Sequence, residues 1–305
     1  MSLLGLLKRN GPSGYGYNST ADEVASGVDL AGKTYLVTGC NSGLGEHTMR
    51  VLLGRGAHVI AAARSVDKAK KAADPMGGET TPVECELSEP ESVRAAVAKV
   101  LEGPRLDGII ANAGIMALPK RTVKYGLELQ FLTNHIGHFI LVTGLLDHLT
   151  DDGRVVMLSS SAHKGAYREG IRIDDLSAEG GYSAWGAYGQ SKLANMLFAK
   201  KLAERMPKGT QAVGSVHPGV IATNLSRHMP GVVQTLFSSV GPALALKSIP
   251  QGAATQTYVA VHPDAAKVRG EYYADCNVAE TSRHGADDAL ATALWDKSEA
   301  LVAEL

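Results

Sequence analysis

Short runs of consecutive apolar residues recur along this chain, and most are separated by stretches with apolar residues at helical spacing. The apolar runs predict strands over 34–38, 58–63, 81–85, 106–111, 154–159 and 211–216, with a short last strand over 271–274. The helical pattern predicts helices over 46–53, 67–73, 90–101, 127–149, 187–205, 250–261 and 287–304. Pro90 opens one of them, a position where its missing N–H is harmless. Thr20 and Glu23 have capping-box spacing and predict a short helical turn over 20–26. Strands alternating with helices predict an α/β fold, a doubly wound parallel sheet of about seven strands with helices on both faces.

No linker or internal repeat divides the chain. Residues 1–30 read as an N-terminal arm and 31–305 as one unit. Residues 226–249 stand out as apolar, poor in charge and broken by Pro230, Gly231, Gly241 and Pro242, and they predict a flexible cap over a pocket.

Composition adds exclusions. The 305 residues are 45% hydrophobic, enough for a sizeable core, and the formal net charge of -1 with mixed signs gives no nucleic-acid surface. Cys40, Cys85 and Cys276 are far apart and suit free thiols in a reducing compartment. The apolar start of the chain is too short for a signal h-region, and no uninterrupted apolar run reaches spanning length. The expectation is a cytoplasmic protein without stable membrane insertion, in which the sequons at Asn18 and Asn224 carry no glycan.

Candidate chemistry lies where strands end. Gly39, Gly43 and Gly45, with Asn41, Ser42 and Leu44 between them, follow the first strand and enter a helix. Such a turn lets a pyrophosphate approach the backbone and meet the free N–H groups of the helix start. The second strand ends in alanines and Arg64, where an acidic residue would bind the ribose hydroxyls of NAD. Arg64 can bind a 2′-phosphate through a bidentate guanidinium contact, which favours NADP(H). Asn112-Ala113-Gly114 follows the fourth strand and shapes backbone near the cofactor. Ser159, Ser160 and Ser161 end the fifth strand, and any of the three could donate a hydrogen bond to a substrate oxygen. Asn134, a poor helix former inside a helical run, could bend the helix and hold a water. Tyr188 and Lys192 share one helix face, and an ammonium beside a phenol favours the ionised phenol. His135, His138, His163 and His217 read as packing or surface residues, and no cluster has metal-ligand spacing.

Together these motifs resemble the short-chain dehydrogenase/reductase family over nearly the whole chain: Gly39, Gly43 and Gly45, Asn112-Ala113-Gly114, Asn134, Ser160, Tyr188, Lys192 and Pro218-Gly219, in that order. Thr20-Ala21-Asp22-Glu23-Val24, the stretch Asn134 to Phe139 and Ser191 to Asn195 resemble the retinol-dehydrogenase-like and WW-domain-oxidoreductase-like branch. The resemblance implies a single-domain Rossmann fold. It implies that Tyr188 exchanges a proton with substrate and that Lys192 lowers the pKa of Tyr188 and binds the nicotinamide ribose. Ser160 would orient the substrate oxygen, with Ser161 as alternative. Asn134 would support a water-linked proton path, and Thr223 would touch the carboxamide. Glu86-Leu87 stands where the family has Asp before an apolar residue, near the adenine.

The activity implied is NADP(H)-dependent hydride transfer to or from an alcohol, ketone or aldehyde. The apolar 226–249 stretch points to a lipophilic substrate, such as a retinoid, steroid, polyketide or aromatic carbonyl, and can equally be a dimer surface. Monomer and homodimer both stay open. The alternative is a non-catalytic dinucleotide-binding scaffold or redox sensor on the same fold. The intact set Ser160, Asn134, Tyr188 and Lys192 favours the enzyme.

Overall fold

The computed structural model describes residues 5, 8–221, 246–267 and 269–305. In chain order the elements are α1 (Ala21–Val24), β1 (Thr34–Thr38), α2 (Gly43–Leu53), β2 (His58–Ala63), α3 (Val66–Ala73), β3 (Thr80–Glu84), α4 (Pro90–Leu101) and β4 (Leu106–Ala111). A composite helix α5 (Leu129–His148) follows, then β5 (Leu149–Leu158), α6 (Ala184–Arg205), β6 (Ala212–His217), α7 (Ile249–Val261), β7 (Tyr272–Ala274), β8 (Asn277–Val278) and α8 (Asp288–Glu304).

The sheet order is β3-β2-β1-β4-β5-β6-β7-β8. All pairings are parallel except β7 with β8. The two-residue β8 makes the sheet 8-stranded, one strand more than the apolar runs predicted. Strand order reverses direction between β1 and β4, which opens a crevice at the carboxyl ends of these strands.

Alternation along the strands sorts the core into two layers. Leu36, Ile60, Ile109 and Val155 face one layer, with Phe131, Leu141, Leu197 and Trp295. Their neighbours Val37, Val59, Ile110 and Val156 face the other, with Met49, Leu52, Ala253 and Tyr258. The closing helix α8 joins the first layer by stacking Trp295 on Phe198, with ring centroids 5.4 Å apart. The Thr20–Glu23 capping box forms in both directions, at 3.3 and 2.8 Å.

The helix expected over 127–149 differs in three ways. Leu127–Glu128 pairs with Val123–Lys124 in a small antiparallel ribbon. The buried Glu128 carboxylate then accepts the N–H groups of Gln130 and Phe131, each at 3.0 Å, so the helix begins at Leu129. Leu132–Ile136, which contains Asn134, is a π turn rather than α. Leu149 leaves the helix for β5. Among the described residues Leu129–His148 is the one helix long and apolar enough to cross a membrane, but most of it is buried in the protein interior.

Candidate functional site

The phosphate-type turn forms between β1 and α2. Gly39 and Gly43 have φ of 66° and 58°, in the left-handed region that glycine takes most easily. Gly45 is packed so closely that an added Cβ would lie 2.4 Å from the Gly39 carbonyl oxygen and 2.5 Å from Asn112 Nδ2. The start of α2 is thereby pressed against the ends of β1 and β4, with its free N–H groups toward the crevice.

Thr38 fixes the opposite lip. Its hydroxyl oxygen accepts the N–H groups of Asn112 and Ala113, both at 3.0 Å, and meets His138 Nε2 at 2.9 Å. Asn112 Nδ2 donates to the Thr38 carbonyl at 2.9 Å. A Cβ on Gly114 would lie 2.9 Å from Asn134 Oδ1 and 3.4 Å from Lys192 Nζ, so this turn approaches both residues closely.

The π turn aims Asn134 at the next residue of that loop. Asn134 Oδ1 accepts from the Ile115 N–H at 2.8 Å, and its Nδ2 donates to the Ile115 carbonyl and to Ser191 Oγ, both at 2.9 Å. Its own carbonyl accepts from His138 Nδ1 at 2.9 Å. The side chain thus clamps the loop after β4 to α6.

The three serines separate into distinct environments. Ser159 is buried and donates to the Lys192 carbonyl at 2.7 Å. Ser161 is exposed, and its N–H donates to His217 Nδ1 at 3.2 Å. Ser160 is the one whose hydroxyl acts on the Tyr188 phenol, and it also accepts the Ala162 N–H at 3.2 Å. Gly189 makes this approach possible, because a Cβ there would lie 2.6 Å from the Ala162 carbonyl oxygen.

Tyr188 and Lys192 are both buried. Burial pushes the Tyr188 phenol up to about 12, opposed by the hydrogen bond with Ser160. Burial pushes the Lys192 ammonium down to about 7. Lys192 Nζ donates to the Leu158 carbonyl at 3.0 Å and lies 5.7 Å from the Tyr188 ring centroid. The phenol lowered by its neighbour, expected from helical spacing, is therefore not what the protein alone presents. Desolvation dominates both shifts, and the phenol is protonated at neutral pH.

These groups line one cleft of about 820 Å³. It brings together Gly39, Asn41, Ser42, Gly43, Leu44, Arg64, Glu86, Leu87, Asn112, Ala113, Gly114, Ser160, Tyr188, Lys192, Pro218 and Gly219. Gly45 and Asn134 stand behind its wall, and Thr223 lies outside the described residues, as do residues 226–245 of the expected cap. Glu86 turns back on its own loop, accepting from the N–H and hydroxyl of Ser88 at 3.1 and 2.9 Å. Ser88, Ile115, Met116, Leu129, Thr133 and Trp185 also line the cleft and were not anticipated. Trp185 stands three residues before Tyr188, and Thr133 four after Leu129, so helical spacing carried a signal for both. Among the described residues no group of three His, Cys, Asp or Glu side chains is placed to hold a metal ion.

A glycine cradle at one end and a protonated phenol paired with a serine at the other fit a nicotinamide dinucleotide with a substrate beside it. The short chain dehydrogenase family model matches residues 33–230. The chain belongs to this family. It is 41% identical over 321 residues to Short-chain dehydrogenase TIC 32 A, chloroplastic, of Brassica napus, covering 100% of both chains. It is 39% identical over 296 residues to human Retinol dehydrogenase 14, covering 90% of this chain and 87% of that one. Among solved structures, an uncharacterized protein from Mycobacterium Paratuberculosis aligns with a TM-score of 0.75 at 34% identity, covering 92% and 97% of the two chains. The angucycline C-6 ketoreductase LanV with bound NADP aligns with a TM-score of 0.64 at 25% identity, covering 80% and 94%. The chain is thus an oxidoreductase of the retinol-dehydrogenase-like branch, with a nicotinamide dinucleotide as cofactor.

The buried histidines give the fold a pH limit. Burial holds His135 down to about 3, and His138 and His217 down to about 4. Between those values and the ordinary value near 6.5 the unfolded chain binds more protons than the folded one. Stability is therefore expected to fall by several kcal/mol as pH drops from ~6.5 toward ~4. Urea midpoints measured across that range check this, and His138→Gln, which has no group titrating there, is expected to flatten the slope.

Proposed function

We propose that the protein reduces lipophilic ketones or aldehydes with NADPH, and runs the reverse oxidation when the cofactor ratio favours it. The observation that carries this reading is the meeting of Ser160, Tyr188 and Lys192 at one end of a cleft whose other end is a glycine turn at a helix start. The glycine turn and Lys192 would hold a reduced nicotinamide dinucleotide there, whose chemistry would be hydride donation to a carbonyl carbon. Ser160 and Tyr188 both donate hydrogen bonds to the substrate oxygen and hold it in place. Tyr188 then delivers its phenol proton to that oxygen, which completes the alcohol. Lys192 stabilises the phenolate left behind. A bound anionic dinucleotide would favour its ammonium form, against the burial that depresses it. Asn134 positions this end of the cleft by holding Ile115 and Ser191.

Cofactor choice rests on Arg64, which lines the cleft at the end of β2 where an NAD enzyme carries an acid. The LanV structure, which holds NADP, supports the same choice. Substrate class rests on the wall near Tyr188. Trp185 is 50% exposed, meets the Tyr188 ring edge-on at 6.1 Å, and shares the cleft with Met116, Leu129 and the 48% exposed Val220. Large apolar side chains left open beside a reactive group suit an apolar, ring-bearing substrate. The retinol dehydrogenases among the relatives point the same way.

Turnover of NADPH with a panel of bulky ketones and aldehydes tests the reaction. Tyr188→Phe is expected to lower kcat by ~10²–10⁴-fold while NADPH still binds; a wild-type chain that binds NADPH without turnover supports the scaffold alternative. Arg64→Ala is expected to weaken NADPH binding ~10–100-fold and leave NADH unchanged, measured by titration. Trp185→Ala is expected to raise KM for a ring ketone ~10-fold with little effect on a short aliphatic aldehyde. Equal losses on both substrates would argue against a selecting role.

A further inference from the structure

The loop after β6 forms one wall of the cleft through His217, Pro218, Gly219, Val220 and Ile221. Its conformation depends on a residue far along the chain. The Lys247 N–H donates to the Val220 carbonyl at 2.9 Å, and Ile221 and Lys247 form a parallel bridge. The aliphatic stem of Lys247 lies against Gly219, where φ is 89° and an added Cβ would stand 2.6 Å from Lys247 Cδ. The side chain is 1% exposed, and its Nζ pairs with Asp275 Oδ1 at 2.6 Å. A buried lysine with one carboxylate contributes little net stability, because desolvation cancels most of the attraction, but losing Asp275 strands the buried ammonium.

The carboxylate is presented by the turn between β7 and β8. Asp275 and Cys276 are its two central residues, with φ of 51° and 62°, the positive values that a two-residue hairpin turn takes. The Cys276 N–H is held by Thr255 Oγ1 at 3.2 Å. The N-terminal arm holds the next residue: Asn277 Oδ1 accepts the Ser13 N–H at 3.0 Å, and its Nδ2 donates to the Tyr15 carbonyl at 3.1 Å. The arm then places the buried Tyr17 ring 4.9 Å from Lys247 Nζ. A cation over an aromatic face is attracted to it, most strongly when both are desolvated. A buried charge that ties this turn and the N-terminal arm to the cleft wall, with no part in the proton transfer, marks a device that fixes geometry.

We propose that Lys247 is a positioning residue through which the N-terminal arm and Asp275 set the conformation of the Pro218–Val220 cleft wall, and hence cofactor affinity. The inference rests on the proposed cofactor site. A second link runs the same way. The Lys247 charge, after burial, helps keep His217 neutral, and neutral His217 accepts the Ser161 N–H beside Ser160.

The test uses the full chain, with NADPH and NADH titrated separately and thermal unfolding recorded for each variant. Lys247→Met and Asp275→Asn are each expected to weaken binding of the preferred dinucleotide ~10-fold or more, with lowered thermal stability. The double variant Lys247→Met with Asp275→Leu removes both charges. It is expected to recover stability while affinity stays low, a separation that a merely structural ion pair would not give. Tyr17→Leu is expected to weaken binding ~2–5-fold, and more than Tyr17→Phe, which keeps the ring. Recovery of both stability and affinity in the double variant, or wild-type affinity in Tyr17→Leu, overturns the proposal. The Tyr17 pair decides the matter if the single charge variants fail to fold. A wild-type chain that binds neither dinucleotide overturns the functional reading, and this one with it.

Discussion

One hydroxyl holds the reactive end of the protein together. Thr38, the last residue of β1, lies where strand order reverses, and three elements meet on its Oγ1. It receives two N–H groups from the turn after β4 and faces His138 on α5. Because His138 Nδ1 faces the Asn134 carbonyl, Nδ1 carries the proton and Nε2 accepts from Thr38. The chain of bonds runs from β1 through a neutral imidazole to the residue that clamps Ile115. Each donor and acceptor along it is used once or more, and a buried network of this kind specifies geometry because any vacancy is expensive.

The same environment sets the electrostatics. Every titratable group in the heart of the site is more buried than its neighbours can compensate, so phenol, amine and imidazoles all shift toward their uncharged forms. The polypeptide alone is an acid waiting at Tyr188, with a Lys192 poised close to neutrality. In the proposed mechanism an anionic dinucleotide held by the glycine turn would favour the Lys192 ammonium against the burial that depresses it.

Local spacing carried much of this architecture in the sequence. The glycine turn, the strand ends and the Tyr188–Lys192 face each rest on residues within a few positions of one another. What stayed hidden depends on partners far along the chain. His138 meets Thr38 from 100 positions away, His163 meets the Ser282 N–H from 119, and His135 meets Ser298 from 163. These histidines were readable as packing residues, but the partners they meet were not. The direction of the Tyr188 shift was hidden for a related reason: a pair at helical spacing shows the attraction, whereas burial is a property of everything around it. Lys247 and Asp275 gave no local signal at all.

The π turn at Leu132–Ile136 has a further consequence. An α-helix turns about 100° per residue, so one extra residue in a turn rotates everything beyond it by that angle relative to what precedes. Leu129 before the turn and Thr133 at its start face the cleft; downstream, His138 faces Thr38 and Phe139 faces Phe198 and Trp295. The turn acts as a phase adapter between two facings of a single helix. The substrate wall and the inner scaffold can therefore vary in sequence independently, provided that the length of the segment joining them is kept.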